Sequence, residues 1–307
     1  MLRQGLLFLS ESTVARAIVT HAPFARWAAR RFVAGEEIEE AMTAARELNA
    51  RGMTVSLDYL GESVSNREEA TAAADTYLRI IDSMVAEGID GNVSLKLTQM
   101  GQDIDEEFLD TNVRRVLDRA KRHDMFVRFD MESSDYVQKT LDFFARVRAE
   151  GYDNCGVVLQ SYLYRTGKDA KWASDMGARV RLCKGAYMEP ESVAYPDRED
   201  VDDSFVRVMK QLLESGTYHG IATHDEAMIQ ATMSFARERG IDPSRFEFQM
   251  LYGIRRDLQK QIVDDGWRLR IYIGFGKAWY PYFMRRLAER PANVFFLANS
   301  VFRELFR

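Results

Sequence analysis

Histidine, cysteine and proline are all scarce in this chain, and each scarcity removes a class of function. Its 307 residues hold 4 histidines and 2 cysteines. His21, His123, His219 and His224 are scattered, with no HExxH or HxH, so a zinc hydrolase lacks its ligands. Cys155 and Cys183 lie in apolar runs without metal-ligand spacing and read as buried thiols of a reducing compartment. With 6 prolines and no Pro/Gly/Ser-rich tract, nothing marks a linker. No GxxxxGK(S/T) loop occurs, and "GFGKAW" has Trp279 where a dinucleotide fingerprint needs its third glycine. Ser161 in "LQSYL" lacks the glycines of a nucleophile elbow. No apolar run approaches the roughly 20 residues that span a bilayer. Near the start, "GLLFLSESTVARAIV" is too short in its apolar part, and too weakly basic before it, for a signal peptide. A formal net charge of -5 gives no electrostatic case for nucleic acid. The remaining class is a cytoplasmic α/β protein, and 46% hydrophobic residues are ample for its core.

What is present is a repeated rhythm. Eight β-rich runs alternate with amphipathic helical patterns: "MTVSLDYLG", "GNVSLKLTQ", "MFVRFDME", "CGVVLQSYL", "ARVRLCKGAY", "HGIATHD", "FEFQMLYG" and "LRIYIGFG". That spacing is expected of βα units, and eight of them predict a closed (β/α)8 barrel. The reading is a single catalytic domain over 1–307, with a helical arm or cap over about residues 1–50 and the barrel over 51–307. Seven runs carry polar residues near their C-terminal ends: Asp58, Lys96, Asp130, Gln160, Arg181 with Lys184, His224, and Gln249; the eighth carries Tyr272. In a barrel those ends share one face, where the active site is built. A polar pocket explains their recurrence better than a merely solvated rim.

The stretch "WYPYFMRRLAER" adds Arg285 and Arg286 behind Trp279, Tyr280, Tyr282 and Phe283. On a plain amphipathic helix both arginines would reach water. Together with Lys96, Arg181 and Lys184 they form a set of five cations, with Asp130 and Glu289 as counter-charges. Such a set suits an anionic ligand: a carboxylate gripped by guanidinium groups, or a pyrophosphate on a glycine turn such as "CKGAY". The residues alone leave three readings open. One is a Schiff-base lyase with Lys96 or Lys184 as nucleophile. Another is a cofactor enzyme whose barrel positions the reactants. The third is a non-catalytic amino-acid-binding barrel.

The motifs "SLKLTQ" (from Ser94), "VRFDMESS" (from Val127), "VVLQSYLYRT" (from Val157), "RLCKGAY" (from Arg181), "IATHD" (from Ile221) and "MRRLAERP" (from Met284) resemble proline dehydrogenase, in particular its short single-function bacterial forms. The likeness runs in order from the first strand to the final helix. It implies a distorted (β/α)8 barrel holding non-covalent FAD, with the last helix over the C-terminal mouth. On that likeness Lys96, Arg285 and Arg286 hold the proline carboxylate, and Glu289 steadies the arginines. Asp130 is the active-site aspartate, and Arg181 stabilises charge near the flavin N5. Tyr272 packs on the proline ring and favours proline over 4-hydroxyproline, and the aromatics of the last helix pack around substrate and flavin. Met131, Gln160, Lys184, Gly185, Ala186, Tyr187, Thr223 and His224 are the remaining cofactor positions. The implied product is Δ1-pyrroline-5-carboxylate, made by hydride transfer from C5 to FAD. A quinone is the implied electron acceptor, with transient membrane-surface contact. A pyrroline-5-carboxylate dehydrogenase is the implied functional partner. Two departures stand out: Cys183 replaces an expected valine, and Met188 follows "GAY" where larger or basic residues are common.

Overall fold

In "TVSLDY" apolar and polar residues alternate, and a strand sends alternate side chains to opposite faces. The structure is a computed structural model that describes residues 29–62 and 64–289, with 288 and 289 as backbone only. In it this run is strand β1 (Thr54–Tyr59). The other seven runs are β2 (Gly91–Leu95), β3 (Val127–Phe129), β4 (Cys155–Gln160), β5 (Arg179–Cys183), β6 (His219–Ala222), β7 (Phe246–Leu251) and β8 (Leu269–Phe275). All pair in parallel in chain order, and β8 returns to β1 from Thr54↔Arg270 to Tyr59↔Phe275, closing the barrel.

The helices lying within the described residues are α1 (Ile38–Asn49), α2 (Arg67–Ala86), α3 (Glu106–Lys121), α4 (Ser134–Ala149), α5 (Thr166–Asp175), α6 (Arg198–Glu214), α7 (Glu226–Glu238), α8 (Arg256–Asp264) and α9 (Trp279–Glu289). Their starts follow ordinary chemistry. Asp105 accepts from the Phe108 amide at 2.8 Å to begin α3, and Asn66 accepts from Glu69 at 2.8 Å to begin α2. Among the described residues, no helix is long and apolar enough to cross a membrane.

The two faces of the strands do opposite work. Val55, Leu57, Val93, Val127 and Val157 lie beneath the outer helices in one apolar core. Ser56, Ser94, Asp130, Arg181 and Gln249 point the other way and hydrogen-bond across the interior. A barrel of this kind is usually filled by branched apolar side chains. Here its upper interior is a buried polar network, which is why the strands read as alternating.

Helix α9 answers why two arginines stand beside so many aromatics. It does not pack along β8. Trp279, Tyr280, Phe283 and Met284 form a second apolar cluster with Phe32, Val33, Leu60 and Ile254, residues that precede α1 or follow β1 and β7. The Phe32 and Phe283 rings lie 6.2 Å apart, and Trp279 donates to Glu36 at 3.2 Å. The aromatics therefore anchor the helix over the C-terminal mouth, and are buried by protein before any ligand arrives. Helix α1 packs on β1 and β8, the place left along the barrel wall when α9 turns over the mouth. This described part of the expected arm is thus a wall helix.

The turn after β7 is held close to that same segment. Gly253 has φ +75°, and a Cβ on it would fall 1.7 Å from the Arg31 carbonyl oxygen. Gly253→Ala is therefore expected to cost about 2 kcal/mol or more, from left-handed backbone strain plus the clash. A thermal midpoint unchanged from the parent protein overturns this.

Candidate active site

Asp130, just past β3, is the hub of the mouth. Its Oδ1 accepts from Ser94 Oγ at 2.6 Å and from Arg181 Nη1 at 2.7 Å, and its Oδ2 accepts from the Tyr272 hydroxyl at 2.6 Å. Burial pushes this carboxyl up, but Arg181 and Lys96 outweigh it and hold it below the usual carboxylate range. Arg181 also lies over the Tyr272 ring, 5.1 Å from its centroid, and donates through Nε to Gln249 at 2.5 Å. Burial, reinforced by Asp130, drives the Tyr272 hydroxyl well above its ordinary range, so it stays a donor.

Lys96 reaches between two carboxylates, 3.2 Å from Asp58 and 3.8 Å from Asp130. Burial alone would lower its ammonium, yet Asp58, Asp130 and Glu62 outweigh it and hold the group above its ordinary range. A Schiff-base nucleophile has to be a neutral amine. Lys96 is held as its opposite. Lys184 is equally engaged, 2.8 Å from Asp225 and paired with Asp202. The geometry thus turns against the lyase reading.

From above, Arg285 donates to both oxygens of Glu62, at 2.5 and 3.4 Å. Arg286 is buried, with its guanidinium 4.8 Å from the Tyr282 ring centroid. Tyr187 joins the same chamber: burial and then Glu62 raise its hydroxyl, and it also feels Lys96 and Arg285. The expected contact of Glu289 with the arginines falls outside the described residues. Among the described side chains, Glu62 holds Arg285.

The expected cofactor positions follow one another at the ends of β3, β4, β5 and β6. Gln160 donates to the Glu132 carbonyl at 3.2 Å, while its Oε1 is buried without a donor. Met131, next to Glu132 in sequence, is buried. Lys184, Gly185, Ala186 and Tyr187 form the turn after β5. Gly185 has φ +110°, and a Cβ there would fall 2.3 Å from the Tyr162 ring. Only glycine lets this backbone lie so flat on the loop below. Glu189 then ties the turn to α4 by accepting from the Ser134 amide at 2.7 Å. After β6, Thr223 is fixed by its own amide bond to Gln249 O at 3.1 Å, and His224 accepts from the Leu251 amide at 2.8 Å through Nε2.

Glu132 sits among these groups. Its carboxylate accepts from Thr98 Oγ1 at 2.7 Å and from the Thr98 amide at 3.3 Å, yet burial pushes it up to about 7. An unfolded glutamate titrates near 4.3. Between those values the folded state keeps a proton that the unfolded state releases, so stability falls as pH rises from about 4.3 to about 7 and levels off above that. Glu132→Gln keeps an acceptor for Thr98 and has no charge to bury. Its thermal midpoint is expected to exceed the parent's near pH ~8 by the equivalent of roughly 3–4 kcal/mol at most, with the gap closing toward pH ~5. An equal gap at both values overturns the assignment.

A family model for proline dehydrogenase matches residues 41–299. The chain belongs to the proline dehydrogenase family. Among its relatives, the proline dehydrogenase of Deinococcus radiodurans is 44% identical over 279 residues, covering 90% of each chain. Proline dehydrogenase 1 of Bacillus subtilis subsp. natto is 40% identical over 308 residues, covering 99% of this chain and 100% of the relative. A solved structure, proline utilization A (PutA) from Bdellovibrio bacteriovorus inactivated by N-propargylglycine, matches with a TM-score of 0.82 at 26% identity. That match covers 89% of this chain, which spans only 33% of the larger protein.

Within this proline dehydrogenase barrel, sequence reasoning brought Lys96, Asp130, Arg181, Tyr272, Arg285 and Arg286 to one mouth, where the structure has them. It passed over Glu62, Glu132 and Ser94, and left Asp58 and Gln249 as strand-end residues without a role. Ser94 was legible, since it shares a strand face with Lys96 two residues on. Glu62 lies in a loop and carried no periodic signal.

Proposed function

We propose that the chain oxidises L-proline to Δ1-pyrroline-5-carboxylate, the first step of proline catabolism, using non-covalent FAD. The observation that carries this reading is a buried set of opposed charges, Lys96, Asp58, Asp130 and Arg181, closed from above by Arg285 and Arg286. The residues present fit a flavin. The donorless Gln160 Oε1 is an acceptor awaiting a polar edge, and the bared backbone at Gly185 next to Lys184 suits a phosphate-bearing group. Gln160, Met131, Arg181, Lys184, Gly185, Ala186, Tyr187, Thr223 and His224 would hold it. FAD, when bound, supplies the acceptor for the hydride that leaves proline C5 as the ring nitrogen's lone pair forms the C=N bond.

The protein's share is positioning and electrostatics. Lys96, Arg285 and Arg286 grip the substrate carboxylate, which in this reading competes with Glu62 for Arg285. Tyr272, pinned by Asp130, presents its ring to the proline ring and fills the space that a 4-hydroxyl needs. Asp130 in turn keeps Arg181 charged and fixed. Electrons pass on to a quinone during transient contact between the cytoplasmic enzyme and the membrane surface. The product passes to a pyrroline-5-carboxylate dehydrogenase.

The test is a visible absorption spectrum of the purified protein, before and after L-proline is added without oxygen. Flavin bands that bleach support cofactor, substrate and direction together. Bands that ignore proline reopen the substrate, and a protein that stays colourless after FAD is added overturns the reading. Co-sedimentation with anionic vesicles tests the membrane contact, and absence of binding in either redox state counts against it.

A further inference from the structure

Below the mouth, the barrel interior holds an ion pair that the proposed chemistry does not use. Arg270 on β8 donates through Nε to Glu247 Oε1 at 2.6 Å and through Nη1 to the Val55 carbonyl at 2.7 Å. The Tyr218 hydroxyl donates to Glu247 Oε2 at 2.9 Å. Gln249, two residues along β7 and 4% exposed, donates through Nε2 to Glu247 Oε1 at 2.6 Å. Its Oε1 then accepts from Arg181 Nε at 2.5 Å. A glutamine amide can ordinarily be turned either way. Here a carboxylate on one side and a guanidinium on the other allow one orientation. Space for it comes from Gly220 on β6, where a Cβ would fall 2.3 Å from Gln249 Nε2.

We infer that Glu247 and Gln249 are positioning residues for Arg181, fixing its guanidinium from below while Asp130 fixes it from above. The inference rests on the proposed proline oxidation, in which Arg181 acts beside the reacting atoms. Asp130 and Ser94 hold Nη1, at 2.7 and 3.2 Å, while Ser56 reaches Nη2 only at 3.4 Å, so without a further short bond the group can swing about Nη1. The 2.5 Å bond to Nε supplies the second short, fixed point.

Two variants break the chain without touching the groups that grip the substrate carboxylate. Gln249→Met keeps volume and removes both hydrogen bonds. Gly220→Ala adds one methyl that displaces the amide, at a residue whose backbone accepts alanine. Each is expected to slow proline-driven bleaching of the flavin about tenfold or more, from loss of alignment. Affinity for a non-oxidisable cyclic carboxylate should stay within about threefold, because Lys96, Arg285 and Arg286 are untouched. In Gln249→Glu the introduced carboxyl faces Glu247 on its own strand, Arg181 on β5 and Arg270 on β8, with Tyr218 before β6 on Glu247 and Arg128 on β3 in the same interior. As a neutral acid it can donate to Glu247 and still accept from Arg181. As an anion it repels Glu247, so the pair shares one proton. Its bleaching rate relative to the parent is therefore expected to recover as pH falls from ~8 to ~6, and its thermal-midpoint deficit to shrink over the same range.

The parent protein is the control. If proline does not bleach the parent's flavin, the proposed function fails and this inference with it. If the parent responds and a folded Gln249→Met or Gly220→Ala matches its rate within about twofold, the inference alone fails. Should Gln249→Met not fold, Gly220→Ala decides. A flat pH ratio in Gln249→Glu overturns it as well.

Discussion

Lys96→Met is expected to lower kcat/KM for proline by about a thousandfold or more, and to destabilise the protein as well. The lysine does two jobs at once. In the proposed reading it is one of three cations that take the substrate carboxylate, and it separates Asp58 from Asp130 in a buried space. Losing a charge-assisted contact to a ligand costs roughly 2–5 kcal/mol in such surroundings. The substrate carboxylate must then enter beside two carboxylates that Lys96 no longer offsets. Breaking a buried ion pair by removing one partner costs about 3–5 kcal/mol of stability. Protonation limits that loss, because burial already holds the Asp58 carboxyl above its ordinary range. Without Lys96 it rises further. The folded variant then keeps a proton on Asp58 that the unfolded chain releases, so the stability deficit grows as pH rises and shrinks in acid. Thermal midpoints at pH ~5 and ~8, with steady-state kinetics, check both parts. A kcat/KM within tenfold of the parent removes Lys96 from the substrate site.

The barrel was legible because each strand run carries two signals at once. Alternation in "TVSLDY" and "GNVSL" marks strands, and a charged residue at the same end of most runs marks one shared face. The ring of β1, β2, β3, β5, β7 and β8 side chains that meets at Asp130 follows directly from that pattern. Cys155 is buried as expected, whereas Cys183 is only half-buried, because the end of β5 lies at the rim of the core. Three things escaped. Partner choice within the ring cannot be read from strand ends: Asp58 lies nearer to Lys96 than Asp130 does, and only the barrel's stagger decides that. The aromatics of α9 were expected around the ligand, yet their packing depends on Phe32 and Leu60, far away in sequence. Loop carboxylates such as Glu62 have no period, so their direction is set only by where the loop is pinned.

The lower interior shows the cost and purpose of polarity in such a core. Glu247 is pushed up by burial and brought down by Arg270, and the net result is a carboxyl held below its usual range. Such a pair adds little net stability by comparison with apolar packing, because desolvation offsets most of the attraction. Its value lies in orientation, since Glu247 dictates how Gln249 faces Arg181. A barrel that binds its reactants by charge needs its charged side chains fixed from below, and apolar filling cannot do that.

Arg285→Ala is expected to raise KM for proline about a hundredfold, with a smaller change in kcat. The guanidinium would touch the carboxylate, which does not react, so its loss removes binding more than chemistry. The size of the effect has two sources. One is the lost cation. The other is Glu62, now facing the incoming carboxylate without the group that neutralised it. Arg285 and Lys96 hold the Glu62 carboxyl below its ordinary range against burial, so it is ionised at neutral pH in the parent. Adding Glu62→Gln to the alanine variant removes the repulsion without restoring the cation. The double variant is therefore expected to recover about tenfold of the lost affinity, a coupling of roughly 1.4 kcal/mol between contacting residues. Strictly additive effects would mean that Glu62 does not face the substrate. A KM unchanged in Arg285→Ala would mean that the arginine does not either.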